Sequence, residues 1–290
     1  MNRTEIHEQV TDLIIGELEK GNVPWHKGWS TAGFLPSNIV SGKAYSGINA
    51  LILSIMGSNY GSPLWMTYKQ AQDLGGSVKL GEKGTHITYY SNVAKKDKDT
   101  GELESTFALL KSYVVFNVEQ CEGVAIPAKY LVEREPVSVL EGVEKILASY
   151  PNRPEIYYSK KGRAYYLPSA DTITLPSLAQ FENELEHAQT LTHELTHSTG
   201  HTSRLNRWEG AKSMQFGCED YASEELVAEL GSVMILSEVG IPVNIPNSGA
   251  YIKGWLKALK NDKSLVFTAA SKASKAVTLM MGEVKEEVSA

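Results

Sequence analysis

The stretch His193-Glu194-Leu195-Thr196-His197 constrains this chain more than any other. Two imidazoles four residues apart meet on one ion only if the backbone between them is a helix, where i and i+4 share a face. Residues 181–200 are therefore expected to be helical, with that face turned toward further ligands. Neutral imidazole is a good zinc ligand, and two of them leave positions for a third protein ligand and a water. Zinc brings the pKa of such a water toward about 7. Glu194 lies one residue along, where its carboxylate can take the proton as general base. For these five residues in isolation the alternative is a polar helix that happens to carry two histidines.

The histidines are His7, His26, His86, His187, His193, His197 and His201, and none lies beyond 201. A third imidazole downstream is excluded unless it is His201. In the longer pattern H-E-x-x-H-x-x-G-x-x-H, Gly200 is in place but Ser203 occupies the last position. His201 falls only four residues past His197 and follows a glycine expected to end the helix. A better source is Tyr221-Ala-Ser-Glu-Glu-Leu-Val-Ala-Glu-Leu230. On a helix over 221–239, Glu225 and Glu229 share one face while Leu226, Val227 and Leu230 bury the rest. One carboxylate can ligate the metal while the other accepts the second ring N–H of a ligand histidine, which fixes its tautomer. In H-E-x-x-H enzymes with a glutamate ligand, the ligand usually precedes its partner. That order makes Glu225 the ligand and Glu229 the partner, with the reverse left open. The expected cofactor is one Zn2+ ion, with another divalent metal such as Mn2+ as the alternative.

The 290 residues suggest two domains at about 150 residues each. No apolar run approaches the roughly 18 residues of a membrane span, so no membrane partner is expected. The polar, acidic start Met1-Asn-Arg-Thr-Glu-Ile-His-Glu8 is unlike a secretory signal. With only Cys121 and Cys218, a disulfide framework and a cysteine-rich metal site are both excluded. A reducing cytoplasm is the default compartment. Residues 126–136, with Pro127 and Pro136 near the ends, read as a linker between domains at 1–125 and 137–290.

The pattern predicts an α+β fold. Helices are expected over 4–20, from 50 to 56, within 63–74 behind a Thr67 cap with Gln70, over 137–149, and over 252–259 and 264–281. Val23–Trp29 is too rich in Gly and Pro for a helix. Strands at 86–92 and 107–118 flank a charged tip at 95–104, and 155–158, 164–167 and 172–176 read as a small meander.

Charge is uneven. The total is −6, yet residues 21–96 hold seven lysines, no arginine, and only Asp73 and Glu82, so 7 − 2 = +5. Local charge governs attraction to phosphate. Trp25 and its neighbours suit either a core plug or a stacking platform for bases, the core being favoured on those residues alone. The polar loop around Lys43 and Tyr45, between Gly42 and Gly47, could hold a nucleotide backbone and stack a base.

Val23-Pro-Trp25, Ser41-Gly-Lys-Ala-Tyr-Ser-Gly-Ile-Asn49, Trp65-Met-Thr-Tyr-Lys-Gln-Ala71, Gly81-Glu-Lys-Gly84 and Phe116-Asn-Val-Glu-Gln120 come in that order. They precede His193–His197, Thr199-Gly-His201, Arg204-Leu-Asn-Arg207 and the 221–230 block. With these blocks the chain resembles the ArdC-type antirestriction proteins of plasmids and other mobile elements over nearly its whole length. Ser198 stands where a larger residue is expected in relatives. The resemblance implies a small mixed α/β domain that binds single-stranded DNA, followed by a zincin-like, gluzincin-type metallopeptidase domain. It implies protection of incoming mobile DNA from host restriction, and an unidentified protein substrate. It also raises Trp25, Lys27, Lys43, Tyr45, Trp65, Tyr68, Lys69 and Lys83, taken together, as a DNA-contacting set, with some of the tryptophans still in the core.

Two other readings compete. One is a non-catalytic binding module whose zinc only staples the second domain; Glu194 argues against it, since a structural site has no use for a base. The other is a metal-dependent nuclease, which a magnesium site of oxygen ligands would suit better than this His/Glu set.

Overall fold

The computed structural model describes residues 3–27, 35–96, 103–130, 137–209, 219–241, 243 and 249–282. Helix α1 (Arg3–Glu19) buries Ile6, Val10, Ile14 and Leu18 at helical spacing. It ends at Gly21, whose φ of 78° suits a residue without a Cβ. The expectation of no helix over 23–29 needs correcting, because α2 (Pro24–Lys27) is a single turn. Proline is pre-organised for a first helical turn, and the turn drives Trp25 into the core, edge-on to Trp255 with ring centroids 5.2 Å apart.

The chain then runs β1 (Ser37–Asn38), α3 (Gly47–Met56), β2 (Leu64–Thr67), α4 (Tyr68–Asp73), β3 (Ser77–Val78), β4 (Thr85–Lys96), β5 (Leu103–Asn117) and β6 (Cys121–Glu122). A four-stranded sheet has the order β1-β2-β5-β4, with β1 parallel to β2 and the other pairs antiparallel. Thr67 does cap α4: its hydroxyl accepts from Gln70 N, and Gln70 Oε1 accepts from Thr67 N. The residues before the cap form strand rather than loop or helix. Trp65 pairs with Asn117 there, and its indole packs with Leu53, Ile87 and Val115. On the open edge of β4, the Asn49 amide bonds both the N–H and the C=O of Thr88, at 2.8 and 2.6 Å. Residues 97–102 of the expected charged tip and 131–136 of the expected linker lie outside the described residues.

Past that stretch come α5 (Val139–Ser149), β7 (Glu155–Ser159), β8 (Tyr165–Leu167), β9 (Thr172–Pro176), α6 (Glu184–Ser198), α7 (Glu219–Glu238), α8 (Gly249–Asn261) and α9 (Leu265–Met280). Ser138 and Glu141 form a capping box at the start of α5. The three strands do not form a meander. The order is β7-β9-β8, with β9 central and parallel to β7. The apolar alternation of Ile173 and Leu175, both fully buried, places β9 in the middle, over α6.

A single hydrophobic cluster joins α1 through Ile14 and Leu18, α2 through Trp25, and α3 through Leu51 to Leu195, Leu230, Leu259 and Ala273 of the later helices. The core thus draws on residues from both sides of 126–136. α6 and α7 approach closely because small residues line the contact. Thr192 Oγ1 lies 2.7 Å from Ser232 Oγ, and a Cβ on Gly231 would come within 2.4 Å of Thr196 Cγ2.

Gly231→Ala is therefore expected to destabilise the fold by roughly 1–3 kcal/mol through overpacking, as read by urea denaturation. Adding Thr196→Ser, which removes that methyl, should restore part of the loss. An alanine variant as stable as wild type would show that the two helices separate at no cost.

Candidate metal centre

α6 and α7 run in opposite directions, and the order of side-chain contacts shows it. His193 Nδ1 lies 3.5 Å from Glu229 Oε2, whereas His197 Nδ1 lies 3.4 Å from Glu224 Oε1. Between these outer contacts the two Nε2 atoms face one carboxylate. His193 Nε2 is 3.5 Å from Glu225 Oε2, and His197 Nε2 is 3.4 Å from Glu225 Oε1. Among the described residues, His193, His197 and Glu225 form a group able to hold a metal, with ligand atoms within 4.8 Å of one another. Tetrahedral ligands at about 2.0–2.1 Å from zinc stand roughly 3.3 Å apart, so this donor set fits a small divalent cation. The two nitrogens and a carboxylate oxygen suit zinc or manganese better than calcium.

Electrostatics agree with the geometry. Burial alone would push the His193 imidazole down, but the Glu225 and Glu229 carboxylates outweigh it and hold its pKa well above the ordinary value. His197 is raised in the same way, burial being overcome by Glu224 and Glu225. Burial pushes the Glu225 carboxyl up, and the two imidazoles more than offset this and hold it far below the carboxylate range. A concentration of negative charge around two imidazoles is an environment that a divalent cation neutralises. Glu194 is buried beside the ligand histidines on α6.

Sequence reasoning missed Glu224 and Arg207. Glu224 orients His197 as Glu229 does His193, and Arg207 grips Glu224 with two bonds, Nη2 to Oε1 at 2.5 Å and Nε to Oε2 at 3.2 Å. Arg207 Nη2 also donates to Thr196 O at 2.9 Å, and Nη1 donates to the Thr199 hydroxyl. The available signal was a count of acceptors: two ligand imidazoles need two, and Glu224 adjoins Glu225. His201 stays outside the ligand group, its Nδ1 2.7 Å from Ser203 Oγ. Gly200 allows the turn after α6 to fold under Trp208, whose Cε2 lies 2.7 Å from where a Cβ would be. Ser198 is fully buried with Oγ 3.0 Å from Tyr150 Oη, so a small residue makes room for that hydroxyl.

Arg204 locks the same turn to the sheet. It donates to Ser198 O at 2.8 Å, Asn152 O at 3.0 Å and Tyr166 Oη at 3.2 Å, and pairs through both terminal nitrogens with Asp171. Burial pushes the Asp171 carboxyl up, yet bonds from Arg204 and Tyr166 hold it below its ordinary value.

The residues of the expected DNA set are spread differently. Lys43, Tyr68, Lys69 and Lys83 are exposed. Tyr45 is half-buried, and its hydroxyl accepts from Asn38 Nδ2 at 3.3 Å. Asn38 Nδ2 also donates to Gln70 Oε1 at 3.1 Å, tying the Lys43–Tyr45 loop to the start of α4 with Tyr68 and Lys69. Lys83 stands by Gln120, whose Nε2 donates to the Lys83 carbonyl at 3.0 Å. The Lys27 side chain lies outside the described residues. Trp25 and Trp65 need correcting as stacking residues: they are 0% and 1% exposed, so no ring face is open to a base.

Residues 143–272 match the model of the zincin-like metallopeptidases, and residues 4–116 match the N-terminal domain of the anti-restriction factor ArdC. The fold and the paired histidines thus define a zincin-like unit preceded by an ArdC-type N-terminal unit. The chain belongs to the ArdC-type antirestriction family. The metal-free crystal structure of the antirestriction ArdC protein from plasmid R388 superposes with a TM-score of 0.79 at 36% identity, covering 96% of this chain and 97% of that one. Its Mn(II)-bound structure gives 0.77 at 35% identity, covering 97% and 98%. A DNA primase TraC of Escherichia coli is 38% identical over 93% of this chain, which spans only 26% of that primase.

Arg207→Ala should free Glu224 and weaken divalent-metal affinity about 10–100-fold, measured by chelator competition; Arg207→Lys cannot restore the two-bond grip. Asp171→Asn should destabilise the chain at neutral pH by roughly 1–3 kcal/mol, less than for a fully buried pair because the Asp171 side chain is 33% exposed. Because the folded-state pKa is depressed, this stabilisation is present above the unfolded value and fades as pH falls through the folded one. The stability gap between wild type and Asp171→Asn should therefore narrow below about pH 4, as followed by denaturant titration.

Proposed function

We propose that this chain is an antirestriction factor that binds single-stranded DNA and acts as a metal-dependent peptidase. The observation that carries the enzymatic part is the convergence of His193 Nε2, His197 Nε2 and one Glu225 carboxylate, with Glu194 beside them on α6. His193, His197 and Glu225 hold the ion, zinc by preference. When bound, such an ion polarises a peptide carbonyl and acidifies water. Glu229 and Glu224 accept hydrogen bonds from the Nδ1–H groups of the two histidines, which leaves each Nε2 lone pair free for the ion. Glu194 removes a proton from the attacking water and returns it to the departing amine. Arg207 keeps Glu224 ionised and aimed.

Single-strand binding is supported by the positive window at 21–96 and by the exposed Lys43, Tyr68 and Lys69 around the Asn38–Gln70 contact. Lysines track phosphates while aromatic rings stack bases without regard to sequence. A chain that both holds incoming single strands and cleaves protein near them would protect mobile DNA from host restriction.

Purified protein is expected to retain one equivalent of metal by elemental analysis, and His193→Ala to lose it. Protein cleavage, assayed with and without single-stranded DNA, should fall at least about 100-fold in Glu194→Gln while metal content stays at one equivalent. Undiminished cleavage in that variant would remove Glu194 from the mechanism, and metal-loaded protein with no cleavage under any condition would favour a structural centre. Fluorescence anisotropy should show salt-sensitive binding of an oligonucleotide, tighter than of its duplex; equal affinity for both defeats the single-strand reading.

A further inference from the structure

The β7-β9-β8 sheet has one covered face and one open face. Strand register sets Ile156, Ile173 and Tyr166 side by side, and on the opposite face Tyr157, Thr174 and Tyr165. The first row faces the core, where Ile173 packs with Leu191 and Leu195 of α6. The second row faces solvent, with Tyr157 51% and Tyr165 46% exposed. Thr174 between them is short, so the two rings stand apart as separate plates, roughly 10 Å from each other at two strand spacings.

The turn from β7 to β8, Lys160-Lys161-Gly162-Arg163, adjoins these plates. It is tied down: Lys161 N donates to Ser159 Oγ at 3.2 Å, and Gln180 Nε2 to Lys160 O at 3.5 Å. All three cations are exposed, and none has an ion-pair partner among the described residues. Glu155, two residues before Tyr157 on the same face of β7 and level with Thr172, takes a hydrogen bond from the Tyr157 hydroxyl. In a chain of net charge −6, three uncompensated cations beside two exposed rings form a local exception. Nothing in the metal chemistry uses this face. α6 turns Leu191 and Leu195 to the core shared with the sheet and presents His193 and His197 to α7.

We propose that this open face is a second binding surface for single-stranded nucleic acid, on the half of the chain that carries the metal centre. Lys160, Lys161 and Arg163 follow the phosphates, and Tyr157 and Tyr165 stack two bases. A duplex offers no free base face to such plates, so the strand must be single. The inference rests on reading the chain as a single-strand binder. It adds that a bound strand also contacts the unit that carries the metal centre, and not the N-terminal residues alone.

The test uses the full chain, a labelled oligothymidine and anisotropy over a salt series. Tyr157→Ala/Tyr165→Ala should weaken binding about tenfold or more, while Tyr157→Phe/Tyr165→Phe, which keeps the rings, should bind as wild type. Lys160→Gln/Lys161→Gln/Arg163→Gln should flatten the slope of log affinity against log salt by about 2, at roughly 0.7 per lost phosphate contact. Wild-type affinity and slope in both the alanine pair and the glutamine triple, with loss in Lys43→Gln/Lys69→Gln, would overturn this proposal alone. Failure of the wild-type chain to bind the strand would remove the parent reading with it. Unchanged DNA binding with impaired protein cleavage would assign the face to a peptide and also overturn the proposal.

Discussion

The close crossing of α6 and α7 is the contact on which the rest depends. Thr192, Thr196, Gly231 and Ser232 are small enough to bring two backbones together. That proximity lets a single carboxylate, Glu225, face both Nε2 atoms. Larger side chains at the crossing would hold the helices apart by more than the reach of one glutamate. The centre is thus built by packing, and its charges are placed by residues that carry none.

Around this crossing lies a graded set of supports. Glu229 and Glu224 fix the imidazoles, Arg207 fixes Glu224, and Arg204 fixes the turn from which Arg207 projects. Both arginines have almost fully buried side chains, and both satisfy backbone carbonyls as well as a carboxylate. Burying a guanidinium is costly unless its donors are met, and here the fork geometry of arginine meets several acceptors at once.

Much of this was legible in the sequence because the signals were local. Histidine spacing, the Thr67–Gln70 box and the Glu225–Glu229 pair each depend on a helix of known pitch. What escaped was non-local. Trp25 and Trp65 look alike as candidates for stacking, and only the docking of α2 against Trp255 and of β2 between β1 and β5 decides that both are interior. The parallel pairing of β7 with β9 was hidden for the same reason: strand order follows from which strand carries the two buried residues facing α6, and three short strands in sequence do not announce it. Glu224 and Arg207 were hidden because their partners lie on different elements.

The hydrophobic cluster running from Ile14 and Trp25 to Leu230 and Ala273 bears on how such a chain can be inherited. If the two family-matched segments had separate cores, recombination could shuffle them freely. With a shared interior, a break between them would strip apolar surface from both products at once. The block is therefore expected to travel whole when it is spliced into larger proteins. The match to TraC, which takes in 93% of this chain as a fraction of a much longer polypeptide, has that form.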